Sequence, residues 1–180
     1  EQMQGLQRRE DKKRGDMAVL YRTNTQSRVF EEMLIKSAIP YSIVGGTKFY
    51  ERKEIKDIIA YLRVIFNPND SLSLLRIINV PRRGIGDATL AKLQAYAEEN
   101  NMNLFEAVTN SGEVPGLSSR FVNKLEELSS TIFELMGEAN SGEVPVKQLI
   151  DDVMNKTGYL EELQNSKSAQ DQSRAENLME

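Results

Sequence analysis

The sequence predicts a mainly helical chain that begins with a short α/β portion, and three observations carry this. Two short apolar runs, 17–21 and 41–44, bracket one amphipathic segment. From Gly46 onward the apolar period is helical throughout. Pro and Gly clusters punctuate the helical part at 67–70, 81–86, 110–116 and 140–145.

Taken in order, Gln2 to Arg9 is a weak helical segment, followed by the charged run 10–14. Met17 to Tyr21 has the pattern of a buried strand, and Asn24 to Ser37 that of a helix with Val29, Phe30, Met33 and Leu34 on one face. Tyr41 to Val44, closed by Gly45-Gly46, completes a strand–helix–strand unit, and hence a parallel sheet. The next stripe is Ile55, Ile58, Ile59, Leu62 and Ile65, stopped at 67–70; Leu72, Leu75, Ile78 and Val80 follow, stopped at Pro81. A helix is expected from about Ala88 to Glu98, with Asp87 as its N-cap. Another runs from about Leu117 to Ala139, carrying Phe121, Leu125, Leu128, Ile132 and Leu135. It lies between two near-identical hexamers, 110–115 and 140–145, which read as two similar loops and not as a structural repeat. Val146 to Lys156 and a segment near Leu160 are further helices; 166–174 reads as a flexible polar stretch, with a helical start at Ala175.

Composition excludes several function classes. With no cysteine and no histidine, disulfides, thiol catalysis, Ser-His chemistry and the usual zinc sites are ruled out. No apolar run is long enough to span a membrane, and no signal-peptide pattern is present, so the expected location is cytoplasmic. Without an initiator Met, the chain reads as a piece of a larger protein. The net charge of −4 is unevenly placed. Residues 45–92 carry nine Lys/Arg against five Asp/Glu, whereas residues 93–180 carry six against sixteen. The middle block suits a basic face for DNA; the last suits solvent or a partner protein.

Residues 79–90 hold the densest chemistry. Gly84 and Gly86 flank Ile85, Arg82 and Arg83 precede them, and a helix start follows. Free N–H groups and a positive dipole end favour a phosphate there, although an ordinary turn between helices explains the same residues. Arg22 and Asn24 sit where a strand gives way to a helix, the usual ligand position in open α/β sheets, yet Asn24 also reads as a simple cap. Lys48, Arg52, Lys53 and Lys56 are interleaved with Glu51, Glu54 and Asp57, which is the pattern of a solvated face with i,i+4 pairs. Asp151-Asp152 and Glu161-Glu162 lack the organised spacing of metal ligands, and there is no Gly-rich Lys-Ser/Thr loop for nucleotide phosphates.

Four ordered segments resemble a known family: 19–28 (Val-Leu-Tyr-Arg-Thr-Asn-x-Gln-Ser-Arg), 39–46 (Ile-Pro-Tyr-x-Ile-Val-Gly-Gly), 49–57 (Phe-Tyr-Glu-Arg-Lys-Glu-Ile-Lys-Asp) and 79–86 (Asn-x-Pro-x-Arg-Gly-Ile-Gly). They are similar to the superfamily 1 DNA helicases of the UvrD, PcrA and Rep type, in particular the PcrA branch of Gram-positive bacteria. The resemblance implies that residues 1–44 are the first portion of a RecA-like domain, 2A, and that 45–180 are most of a helical insertion, 2B. Within it, a helix–loop–helix clamp on the DNA backbone would lie around 56–98. It implies single-strand contacts from Arg22 and Asn24, and duplex contacts from Lys56, Arg83, Gly84, Ile85, Gly86 and Thr89. The parent would be an ATP- and Mg²⁺-dependent 3′-to-5′ helicase acting at single-strand/duplex junctions in repair and replication, with regulatory proteins as further partners. This piece would hold no cofactor and hydrolyse nothing. The alternative expectation is a protein-interaction module that docks a regulator, drawn from the acidic block and the long helix.

Overall fold

The structure, a computed structural model, describes residues 13–22 and 26–179. By internal contacts the chain divides into two units between Phe49 and Tyr50.

In the first unit the expected strand–helix–strand pattern is not seen. One α-helix, α1 (Ser27–Lys36), forms after a 3₁₀ turn at Arg14–Asp16; no strand is present among the described residues. Parallel strands need a ladder and cover on both faces. Here both runs leave apolar side chains in solvent, Leu20 being 95% exposed and Val44 93%. The helix also turns opposite to its apolar pattern: Val29, Phe30 and Met33 are exposed, while Ser27 and Glu31 are buried. The reason is local satisfaction of a carboxylate. Glu31 accepts from Ser27 Oγ (2.8 Å), Tyr41 OH (3.1 Å) and the Phe49 amide (3.0 Å), so its burial is matched by three donors.

The second unit is a helical assembly: α2 (Lys53–Phe66), α3 (Ser71–Ile77), α4 (Asp87–Glu99), α5 (Leu104–Thr109), α6 (Ser119–Ser141), α7 (Val146–Lys156), α8 (Tyr159–Asn165) and α9 (Ala169–Met179). Its core is formed by Tyr61 and Val64 of α2, Leu74 and Ile77 of α3, Leu93 of α4, Leu125, Leu128, Ile132 and Leu135 of α6, and Val153 of α7. The α2 stripe is rotated from the expected one. Ile58, Tyr61, Val64 and Ile65 are buried, whereas Ile55, Ile59 and Leu62 are half-buried. On α3 the buried residues are Ser73, Leu74 and Ile77, followed by buried Ile78 at the C-cap, with Leu72 outside. Asp70 caps α3, accepting from Ser73 N (3.0 Å) and Ser73 Oγ (2.7 Å), and these bonds hold its carboxyl below the usual carboxylate range.

Short α5 is started by a reciprocal capping box: Asn103 accepts from the Glu106 amide (2.9 Å), and Glu106 accepts from the Asn103 amide (2.8 Å). The two hexamers fold differently. Ser111–Glu113 forms a 3₁₀ turn, whereas Gly142 at φ 70° is the C-cap of α6. Residues 169–174 of the segment expected to be flexible are instead the first part of α9, which starts at Ala169 and buries Ala175 and Asn177.

What fixes α9 is a buried polar network under the start of α2. Arg52 Nη1 donates to Asn177 Oδ1 (2.9 Å), and Asn177 Nδ2 donates to Glu54 Oε1 (2.7 Å). Asp57, 1% exposed, accepts from Tyr159 OH (2.8 Å) and pairs with Arg76 Nε (2.9 Å). Burial pushes the Tyr159 hydroxyl upward, and the neighbouring Asp57 charge pushes it further. Burial also raises Tyr61. For both, the folded-state value lies above the unfolded one. Their contribution is therefore complete below the ordinary tyrosine value of 10.0 and declines as pH rises past it, because the unfolded chain ionises first. Urea midpoints are expected to hold from pH 8 to 9.5 and to fall from pH 10 to 11; a flat midpoint there contradicts the assignment. No helix among the described residues is long and apolar enough to cross a membrane.

Candidate nucleic-acid interface

The 79–86 loop is built from inside by one side chain and one guanidinium. Asn79 Oδ1 accepts from the Arg83 amide (2.8 Å) and the Ile85 amide (3.3 Å), curling the chain around it. Ile85, 2% exposed, plugs the curl into the core. Gly84 takes φ +76°, the left-handed region where a Cβ is strained. The Val80–Pro81 peptide is cis. From α8, Glu162 Oε2 accepts from the Arg82 amide (2.7 Å), fixing the loop's outer edge.

Gly86 is the N-cap of α4, not Asp87 as expected. It is extended (φ −104°, ψ 178°), and its carbonyl accepts from the Thr89 (3.0 Å) and Leu90 (3.1 Å) amides. Asp87 falls in the first turn, where a carboxylate favours the dipole without capping. By helix geometry the Asp87 and Ala88 amides have no intrahelical acceptor. A Cβ built on Gly86 would meet nothing within 4 Å, and its φ is open to any residue.

The other predicted residues fall into two groups. Lys56, Gly84 and Gly86 are exposed. Ile85 and Thr89 are buried, and Arg83 is half-buried with its guanidinium turned inward onto backbone carbonyls and Tyr61. Arg22 is exposed, its amide donating to Gln26 Oε1 (3.0 Å). Asn24 lies outside the described residues.

The charges of α2 are sorted radially rather than paired along the surface. Glu54 and Asp57 are buried, whereas Lys53, Lys56 and Arg63 are exposed. The exposed charges of this helix are therefore all cationic, although its sequence looks balanced. The interleaved pattern suggested surface i,i+4 pairs; the acids instead spend their charge on Asn177, Arg76 and Tyr159. Sequence reasoning gave no role to Tyr61, Asn79 or Glu162, which hold the loop. For Asn79 a signal was present, an Asx four and six residues before two amides in a Gly-containing turn.

The chain belongs to the family of UvrD-like helicase C-terminal domains, matched over residues 1–180. Among relatives, it is 47% identical over 172 residues to the ATP-dependent DNA helicase PcrA of Staphylococcus epidermidis (strain RP62A), covering 96% of this chain and 23% of that protein. The identity is 45%, with the same coverage, to the protein of that name in Staphylococcus aureus (strain NCTC 8325). The chain thus spans about a quarter of the length of the relatives it matches.

Proposed function

We propose that this chain is the duplex-holding part of an ATP-driven 3′-to-5′ DNA helicase that works in repair and replication. Residues 1–44 begin its RecA-like domain 2A, and residues from 45 onward form most of its helical domain 2B. The observation that carries this is Gly86. Its dihedrals are open to any residue and nothing crowds a Cβ there, so beyond the N-cap preference for glycine the bare backbone leaves room for something that approaches from outside. A phosphodiester fits: bare backbone, two amides without intrahelical acceptors and a positive helix end meet it together. The cationic outer face of α2 supplies the remaining attraction, with Lys56 as its central charge. Gly84, Gly86 and Lys56 touch the duplex backbone in this reading, while Ile85 and Thr89 shape the turn from beneath. Arg22 and Asn24 take the single strand on the RecA-like part.

ATP and Mg²⁺ do not fit the residues present. No group of three acidic side chains among the described residues is placed to hold a metal ion, and no nucleotide-phosphate loop occurs. Those ligands belong to other parts of such a helicase, and no step through them is assigned to these residues.

The grip is by shape and charge, so it is indifferent to sequence and sensitive to salt. Lys56→Ala is expected to weaken duplex binding equally for unrelated sequences and to lower the log–log salt slope by about 0.9, the contribution of one phosphate. Titrations between 50 and 200 mM salt check this; an unchanged slope removes Lys56 from the interface. A second reading, docking of a regulatory protein, draws on the exposed Glu126, Glu127 and Glu161 of the acidic half. Retention of duplex at low salt without any added protein favours the first reading, and retention only after a partner is added favours the second.

A further inference from the structure

Arg83 is the residue of the loop whose chemistry differs most from what its position suggests. It stands beside Gly84 in the segment assigned above to the duplex backbone, yet its guanidinium points into the protein. Nη1 lies within hydrogen-bond distance of four carbonyl oxygens: Ile77 (3.1 Å), Ile78 (3.3 Å), Val80 (3.0 Å) and Pro81 (3.4 Å). Nη2 donates to Tyr61 OH (3.0 Å), and that hydroxyl donates onward to the Val80 carbonyl. Tyr61 is fully buried, so the chain of bonds ends in the core.

Two of those carbonyls come from the end of α3, Ile77 being its last residue and Ile78 its C-cap. Helix ends leave such oxygens without intrahelical donors, and a cation there is favoured by the dipole. Val80 and Pro81 are the first turn of the loop itself. One planar cation thus joins the end of α3, the loop entrance and the α2 core residue Tyr61. A lysine cannot reproduce this, because a single ammonium lacks the second, separately directed nitrogen that reaches Tyr61.

We propose that Arg83, backed by Tyr61, is a positioning residue of the duplex grip: it fixes the floor on which Gly84-Ile85-Gly86 stands and does not itself neutralise a phosphate. This rests on the duplex-holding reading of the loop. To reach a phosphate the guanidinium would have to withdraw from the Ile78 and Pro81 carbonyls and from Tyr61 OH, leaving the Ile77 carbonyl to the Val80 amide (2.9 Å) and the Val80 carbonyl to Tyr61, a loss that an incoming phosphate does not restore.

Three variants of the full 180-residue chain, Arg83→Lys, Tyr61→Phe and the double variant, test this by duplex titration over a salt series and by amide exchange at Ile85, whose N–H is held by Asn79. Arg83→Lys keeps the charge and Tyr61→Phe keeps the packing, so both are expected to stay folded. Each is expected to weaken duplex binding roughly tenfold with the salt slope unchanged, the scale of one charge-assisted hydrogen bond. The double variant is expected to lose little more than either single one, and Ile85 exchange to quicken in all three. Wild-type affinity in Arg83→Lys overturns the proposal, because a retained charge would then suffice, as it does for a phosphate contact. Unchanged Ile85 exchange also overturns it. If the wild-type chain fails to bind duplex while Ile85 exchange still quickens, the duplex-holding reading fails and the control of loop shape by Arg83 stands.

Discussion

Asp57→Ala is expected to destabilise the helical unit by about 2–3 kcal/mol. The carboxylate is 1% exposed and serves two partners from different helices, Tyr159 OH on α8 and Arg76 Nε on α3. Its removal leaves a buried phenol without an acceptor and a guanidinium without its counter-charge. Breaking a fully buried pair costs roughly 3–5 kcal/mol. The Arg76 side chain is 37% exposed, so water offsets part of its loss and the expectation sits lower. The contrast is Glu127→Ala, which breaks a surface pair with Lys124 (3.1 Å) whose side chains are 68% and 48% exposed. There the loss should stay under about 0.5 kcal/mol. Urea denaturation of the two variants checks the pair; equal losses mean that the network under α2 does not hold the unit together.

The second large effect separates two glycines two positions apart. Gly84 sits at φ +76°, so Gly84→Ala is expected to cost about 1–2 kcal/mol of folding stability through backbone strain alone. Gly86 has an ordinary extended backbone with open space beyond it, so Gly86→Val should cost only about 0.5–1 kcal/mol, the difference in N-cap preference. Its effect belongs to binding. Three added carbons over the α4 start would hold a phosphodiester off the free amides, and duplex affinity should fall at least tenfold, or about 1.4 kcal/mol.

The elements that could be read from the sequence were those whose information is local. The period from Val146 to Lys156 marks α7 at its observed bounds, and Leu125, Leu128, Ile132 and Leu135 of α6 are buried as their spacing requires. The Gly-Ile-Gly segment stood out for the same reason, since turn chemistry is written in a few adjacent residues. What could not be read depends on distant partners. Helix α9 looked polar and loose, because its stability comes from Asn177 meeting Arg52 and Glu54 more than 120 positions away. The mixed charges of α2 looked like surface pairs for the same reason. The resemblance placed Arg83 among the duplex contacts, and nothing in its sequence neighbours reveals that its guanidinium donates to Tyr61, 22 positions earlier. The strand–helix–strand unit failed differently: its strands have no ladder among the described residues, and period alone does not supply one.

The claim on which the rest depends is that the bare backbone at Gly86 faces a DNA phosphate. Duplex affinity and melting temperature of the Gly86→Val chain, measured side by side with wild type at one salt concentration, test it most directly. The account predicts a melting temperature close to wild type with affinity down at least tenfold. Unchanged affinity in a folded Gly86→Val chain would contradict it.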